Sequence, residues 1–126
     1  MQYEYFYGAQ AEQFSFYRIP KALFTEPNFR ELSTDAKVLY GILLDRMSLS
    51  LKNQWLDAQN KVYITVEEIM DALNCANQKA TRLMVELEKQ AGLIERKRQG
   101  LGRPNLIYVK NFAATINDKS CEKGDS

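Results

Sequence analysis

The chain has 126 residues, of which 45% are hydrophobic and 26% charged, with a formal net charge of +1 at neutral pH. This length and composition predict one globular domain that buries its own core, and the absence of histidine with only two distant cysteines disfavours a metal site or His-based catalysis. No apolar run reaches the roughly 20 residues of a membrane span, and the acidic, aromatic N-terminus is not a signal peptide, so we expect a cytoplasmic protein. From the lack of histidine and of a metal-binding cysteine pattern, we also expect that it is not an enzyme and needs no cofactor.

The first 17 residues are an aromatic segment with four tyrosines and three phenylalanines. Aromatic residues favour extended structure, so residues 1–17 are predicted to form an N-terminal arm or a hairpin. Left in water, such a segment would carry an aggregation risk. It should therefore cover either its own domain core or a second subunit. The second possibility predicts a homodimer.

The domain proper is predicted over residues 18–112 and begins with helices. Residues 19–32 contain two short helical turns, with Pro27 at the first position of the second. Ser33 is placed to cap the longest helix, and Asp35 suits its positive end. The main apolar stripe of this helix comprises Ala36, Leu39, Tyr40, Leu43 and Met47, and a second ridge comprises Val38, Ile42 and Leu49. The helix is therefore predicted to be covered on two faces.

A small hairpin is predicted between residues 53 and 64. Trp55 and Leu56 stand opposite Val62, Tyr63 and Ile64 across a turn-forming stretch. The second strand would join a sheet formed later in the chain. Trp55 is interpreted as a core anchor in preference to a base-stacking residue.

A short helix with a specified start follows. Thr65 and Glu68 have the spacing of a capping box, and Ile64 and Ile69 flank it at the positions of a hydrophobic staple. Residues 74–76 (NCA) then form a turn, in which Cys75 is expected to be a small packing residue.

The next helix, over residues 76–91, is predicted to be a recognition helix. Its inner face is apolar and Gly92 supplies its end, while side chains that can read base edges lie on the outer face of its N-terminal half. Glu86 and Glu88 in the second half would repel phosphates. An ordinary solvated helix face is the alternative interpretation. The candidate recognition residues are Asn77, Gln78, Lys79, Thr81 and Arg82.

A basic hairpin follows directly. Residues 93–99 (LIERKRQ) and 106–110 (LIYVK) are strand-like and are joined by a glycine-rich tip. Residues 76–110 hold eight basic against three acidic side chains, a net of +5, whereas residues 1–75 hold seven against ten, a net of −3. Contact with phosphates explains this uneven distribution of charge better than a solvated run of charged residues does. The candidate wing residues are Arg96, Lys97, Arg98, Gln99, Gly100, Gly102, Arg103 and Asn105.

Several blocks, RIPKALF, LSTDAKVLYGILLDRMSLS, NCANQKA and GLIERKRQGLGRPNLIYVKNF, resemble the N-terminal domain of the RepA_N plasmid replication initiators of Gram-positive bacteria. The resemblance covers about residues 16–112. It implies a winged-helix domain, usually dimeric, that binds repeated origin sequences and helps to assemble the replication machinery. Initiators of this family carry a further C-terminal domain, so the chain is expected to be a fragment.

The predicted fold is therefore α+β and mainly helical: a winged helix-turn-helix with a small antiparallel sheet and an aromatic arm or hairpin. Residues 113–126 lose apolar periodicity and are predicted to be a linker-like tail. The leading function is sequence-specific binding of double-stranded DNA. A winged-helix transcription regulator is the nearest alternative, and a protein-interaction module like those of replisome loaders is the alternative from another class.

Overall fold

The computed structural model describes residues 2–8, 13–53, 61–103 and 105–112. The first two helical turns are α1 (Ala22–Thr25) and a 3₁₀ turn (Pro27–Phe29), as predicted, and α2 (Thr34–Asn53) follows. Next come β1 (Tyr63–Ile64), α3 (Val66–Leu73) and α4 (Asn77–Val85), with α4 continuing as a π-helical turn (Glu86–Gln90). The last elements are β2 (Ile94–Lys97) and β3 (Leu106–Val109).

The long helix α2 is the centre of the core. The Ser33 hydroxyl accepts a hydrogen bond from the Ala36 amide at 3.2 Å, which confirms the predicted cap. The predicted stripe packs inward, with Ala36, Leu39, Tyr40 and Leu43 buried, and Ile42 on the second ridge is buried too. Both faces of α2 are therefore covered over its first half.

Tyr40 links α2 to the end of the sheet. Its hydroxyl donates to the Lys110 carbonyl at 2.7 Å, and burial raises the pKa of Tyr40 to about 12. The hydroxyl thus remains a donor across the physiological range. Its ring also packs against Phe112, with centroids 5.6 Å apart. These contacts hold the C-terminal end of β3 against the helical core.

The helix-turn-helix unit forms through local backbone chemistry. The capping box at the start of α3 is complete: Glu68 Oε1 accepts from the Thr65 amide at 3.1 Å, and Thr65 Oγ1 accepts from the Glu68 amide at 3.4 Å. Asn74 ends α3 in the left-handed region at φ 53°, and the Cys75 amide donates to the Met70 carbonyl at 3.1 Å. Cys75 is half-buried against the core, as predicted. The chain then turns directly into α4.

The sheet has the strand order β1-β3-β2, with both pairs antiparallel. Tyr63 pairs with Tyr108, which confirms that the segment before α3 joins the hairpin. Arg96 pairs with Ile107, and Ile107 faces the core. The strands are shorter than the sequence pattern suggested, so residues 98–103 and 105 form a loop beyond them. This hairpin and its loop are the wing.

An ion pair joins three of these elements. The buried Arg46 of α2 pairs with Glu68 at the start of α3, and its Nε donates to the Tyr63 carbonyl of β1 at 3.2 Å. Burial opposes ionisation of Glu68, but hydrogen bonds from Arg46 and Thr65 outweigh it and hold the pKa of that carboxyl below its usual range. We call this cluster the Arg46 junction.

The arm contains no strand over residues 2–8 and 13–19, so the strand pairing of the alternative hairpin is not present in those described residues. Phe6 contacts Phe14, and Phe14 contacts Phe16, with ring centroids 6.1 and 6.3 Å apart. The arm joins the core where Ile19 lies over α2: a Cβ at Gly41 would stand 2.8 Å from Ile19 Cγ1 and 3.0 Å from the Arg18 carbonyl oxygen.

Three further expectations fall on undescribed parts of the chain. The Trp55 core anchor and the first strand of its predicted hairpin lie outside the described residues, as does the tail after residue 112. Within the described ranges, no helix has the length and apolar character needed to cross a membrane. Over the same ranges no group of three or more His, Cys, Asp or Glu side chains could hold a metal ion.

Candidate nucleic-acid interface

The outer face of α4 presents two unpaired polar side chains at its centre. Gln78 and Arg82 are exposed, lie one helical turn apart and make no side-chain hydrogen bond or ion pair within the described residues. On the opposite face Ala80, Leu83 and Met84 are buried in the core. The core thus fixes the rotation of α4 and directs the amide and the guanidinium outward. Both groups can form bidentate hydrogen bonds with base edges.

The other three predicted recognition residues already have partners. The Thr81 hydroxyl donates to Asn77 Oδ1 at 3.4 Å, and the Asn77 amide approaches the Met70 sulfur at 3.9 Å. Lys79 pairs with Asp35 at 3.1 Å, but both side chains are about half exposed, at 46% and 54%. Such an exposed pair is weak. Lys79 can therefore exchange Asp35 for a phosphate at little cost.

The wing carries its free cations on the loop and at its base. Lys97, Arg98 and Arg103 are exposed and form no ion pair in the described part of the chain. Asn105 is exposed at the return to β3, and Gln99 precedes the tip. The tip is a turn in which the Arg103 amide donates to the Gly100 carbonyl at 3.3 Å. Gly100 and Gly102 both have positive φ, at 112° and 78°, which explains why glycine stands there.

Arg96 differs from the other wing cations because it is paired with Glu88. Its guanidinium contacts Glu88 Oε1 at 2.7 and 2.8 Å through Nη2 and Nε, and its amide donates to Oε2 at 3.4 Å. The bonds from Arg96 lower the pKa of Glu88. Arg96 therefore ties β2 to the end of α4, and its charge is already neutralised inside the domain.

The two acids expected to repel phosphates both have structural partners. Glu86 accepts from the Ser33 amide at 2.7 Å and from the Ser33 hydroxyl at 2.8 Å, which places its carboxylate at the N-terminus of α2. Glu88 is the partner of Arg96. Both contacts anchor the π-helical end of α4, whereas Arg82 on α4 and Lys97, Arg98 and Arg103 on the wing are exposed without an ion pair in the described residues. The sequence interpretation did not include these two anchoring contacts.

These elements define a winged-helix domain in which both α4 and the wing carry exposed basic side chains. A family model described as "Replication initiator protein A (RepA) N-terminus" matches residues 15–123. The chain belongs to this RepA_N family, which confirms the resemblance seen in the sequence. The domain is the N-terminal type found in replication initiators.

Individual relatives agree with this assignment. The chain is 30% identical over 103 residues to a "41 kDa protein" of Lactobacillus helveticus, covering 80% of this chain but only 28% of that protein. A solved structure of a Rep–DNA complex is similar, with a TM-score of 0.71, 36% identity, and 98% of each chain covered. The N-terminal domain of a DNA-binding protein gives a TM-score of 0.70 at 36% identity, covering 99% of this chain and 98% of that one.

Proposed function

We propose that this domain binds double-stranded DNA at a plasmid replication origin, in the cytoplasm, and acts by binding and not by catalysis. The observation that carries the proposal is the pairing pattern of the charged residues. Acidic side chains at the C-terminal end of α4 are used inside the domain, whereas Arg82, Arg98 and Arg103 are exposed without a counter-ion in the described ranges. Structural similarity to a chain from a Rep–DNA complex supports the same conclusion.

In the proposed complex the two parts of the face have different tasks. The N-terminal half of α4 enters the major groove, where Gln78 and Arg82 contact base edges and Lys79 contacts a phosphate. The wing lies on the adjacent stretch, where Lys97, Arg98 and Arg103 neutralise phosphates. Repeated origin sequences would each bind one such face. Contact with the replication machinery would belong to a further C-terminal domain.

Selection from a random pool tests the proposal. The intact chain is immobilised and mixed with duplexes containing a random core, and the bound duplexes are amplified over several rounds. We expect a consensus that includes a guanine, because Arg82 presents a two-pronged donor. A pool that stays random, while the chain is folded by circular dichroism, would contradict sequence-specific binding. A protein-interaction module would give that result.

The salt dependence of binding separates cations that contact phosphates from cations that are paired inside the domain. Arg103→Ala is expected to weaken the enriched duplex and an unrelated duplex by similar factors, and to lower the slope of log affinity against log salt by about one. The matched control is the double variant Glu88→Gln with Arg96→Gln, which removes an ion pair without changing the net charge. Its slope should equal that of the unmodified chain, because Arg96 is neutralised by Glu88.

Fluorescence anisotropy at several salt concentrations measures these slopes. An unchanged affinity and slope for Arg103→Ala would remove the wing from the DNA interface. A slope that falls by one in the double variant would instead make Arg96 a phosphate contact.

We also propose that the domain is a homodimer held by the arm. Tyr3 and Tyr5 are 85% and 82% exposed in the single chain, and Phe6, Tyr7 and Phe14 are exposed as well. A group of exposed aromatic side chains close together in the sequence is typical of a protein contact. The structure of the single chain thus favours the subunit contact over packing on the parent core, because the described aromatic rings of the arm are exposed.

Deletion of residues 1–12 is expected to convert the dimer to a monomer while the helical content survives, because no described residue of the deleted segment belongs to the buried core. Multi-angle light scattering measures the mass, and circular dichroism the helicity. A milder variant replaces Tyr3, Tyr5 and Phe6 with serine and should give the same result. A monomeric intact chain at roughly tens of micromolar would contradict the proposal, since specific interfaces of about 1,600 Å² usually hold there.

A further inference from the structure

An apolar side chain, that of Leu101, stands at the turn of the wing. Leu101 is fully exposed, more so than any other large hydrophobic residue in the described ranges. It stands between Gly100 and Gly102, at the turn closed by the hydrogen bond from the Arg103 amide to the Gly100 carbonyl. Isolated exposed leucines are common on protein surfaces. This one is distinguished by its place at the outermost turn of a basic hairpin.

The two glycines do not serve packing inside the domain. A Cβ built at either position would meet no atom within 4 Å, so neither glycine makes room for a neighbouring element. Their positive φ angles shape the turn, and their lack of side chains keeps the tip thin. Among the described residues of this turn, Leu101 is therefore the one apolar side chain.

Two basic side chains flank that turn. Arg98 precedes Gly100 by two residues and Arg103 follows Gly102 directly, and both are exposed. An apolar tip with cations behind it matches a nucleic-acid groove, in which phosphates line the rims and the bases form the floor. The minor groove of B-DNA is about 6 Å wide, which admits a thin loop with one aliphatic side chain. A binding surface for protein would more often present several apolar residues together.

We propose that Leu101 enters the minor groove beside the sequence read by α4 and acts as an apolar wedge at a base step. The inference rests on the proposed DNA binding and adds a second, indirect mode of sequence selection. Wedged side chains partly unstack a step, and pyrimidine–purine steps such as TA unstack most easily. Leu101 would thus favour origin sequences that contain a flexible step on the wing side, although it forms no hydrogen bond with any base.

The test compares Leu101→Ser with Leu101→Met, which keeps an aliphatic side chain of similar size. The probe is the duplex enriched from the random pool, with 2-aminopurine placed in turn at each step on the wing side. Leu101→Ser is expected to bind about tenfold more weakly, because it removes the burial of one leucine side chain. The salt slope should not change, because an apolar contact releases no counterions. Leu101→Met should bind as the unmodified chain does.

The fluorescence of 2-aminopurine reports unstacking directly. The unmodified chain and Leu101→Met should raise it at one step, and Leu101→Ser should not. Equal affinity and an equal fluorescence rise for Leu101→Ser would overturn the wedge while leaving DNA binding in place. A Leu101→Ser variant that loses self-association in light scattering but binds the duplex normally would also overturn it, and would assign the tip to a protein contact. If the unmodified chain binds no duplex, the proposed function itself fails.

Discussion

Replacing Arg82 with alanine is expected to cost about 1 to 3 kcal/mol of binding free energy on the enriched duplex and to relax discrimination at one base position. The reason is geometric. Ala80, Leu83 and Met84 fix the rotation of α4 by burial, and Arg82 lies on the opposite face with no partner in the described residues. A guanidinium held there can donate two hydrogen bonds to guanine, and alanine can donate none.

Two controls make the Arg82 result specific. Lys21→Ala removes an exposed positive charge outside α4 and the wing, and should change affinity little. An unrelated duplex should distinguish Arg82→Ala from Arg103→Ala, because only the phosphate contact matters for non-specific binding. Anisotropy titrations of both variants on both duplexes give the comparison. Equal losses on the two duplexes for Arg82→Ala would make Arg82 a phosphate contact.

Breaking the Arg46 junction is expected to have the largest effect on stability. Removing one partner of a fully buried ion pair costs about 3 to 5 kcal/mol. The Arg46 side chain is only 9% exposed but that of Glu68 is 38% exposed, so solvent can partly replace the lost partner. We therefore expect Arg46→Ala to lower the free energy of unfolding by about 2 to 3 kcal/mol. The lost bond to the Tyr63 carbonyl contributes to this loss.

The exposed pair of Lys79 and Asp35 supplies the matched comparison. Lys79→Ala should change the free energy of unfolding by less than about 1 kcal/mol, because both partners are about half exposed. Urea unfolding followed by circular dichroism measures both variants. Similar losses in the free energy of unfolding for Arg46→Ala and Lys79→Ala would show that burial does not increase the contribution of the Arg46 junction to stability.

The contribution of this junction should also depend on pH. The pKa of Glu68 is lowered in the folded domain, so its stabilising effect is present above the pKa of the unfolded chain and is lost as the pH falls through the folded value. The difference in stability between the unmodified chain and Arg46→Ala should therefore be full at neutral pH and shrink in acid below the ordinary glutamate pKa.

Local sequence signals predicted the parts of the fold that depend on neighbouring residues. The Thr65–Glu68 capping box, the Ser33 cap and the glycines at the tip each act over a few positions, and all three occur as expected. The order of elements around α3, α4 and the wing followed from them. The resemblance to the RepA_N initiators rested on the same blocks, and the family match confirms it.

The sequence did not predict contacts between distant elements. Arg96 looked like the other wing cations because nothing in a sequence shows that Glu88, across the end of α4, reaches it. Glu86 likewise meets Ser33 only after α4 has packed on α2. The arm could not be assigned from residue types alone, since aromatic side chains suit a core and an interface equally. The G-L-G stretch was visible, but the full exposure of Leu101 emerged only with the shape of the tip.

Methylation interference on the enriched duplex tests the central claim, that α4 reads the major groove while the wing enters the minor groove. Dimethyl sulfate modifies guanine N7 in the major groove and adenine N3 in the minor groove, so one experiment reports on both. We expect N7-methylguanine to block binding within the consensus, and N3-methyladenine to block it on the adjacent wing side. In Arg82→Ala one guanine signal should disappear, and in Leu101→Ser the adenine signal should weaken. Tight binding that neither modification impairs would contradict the account.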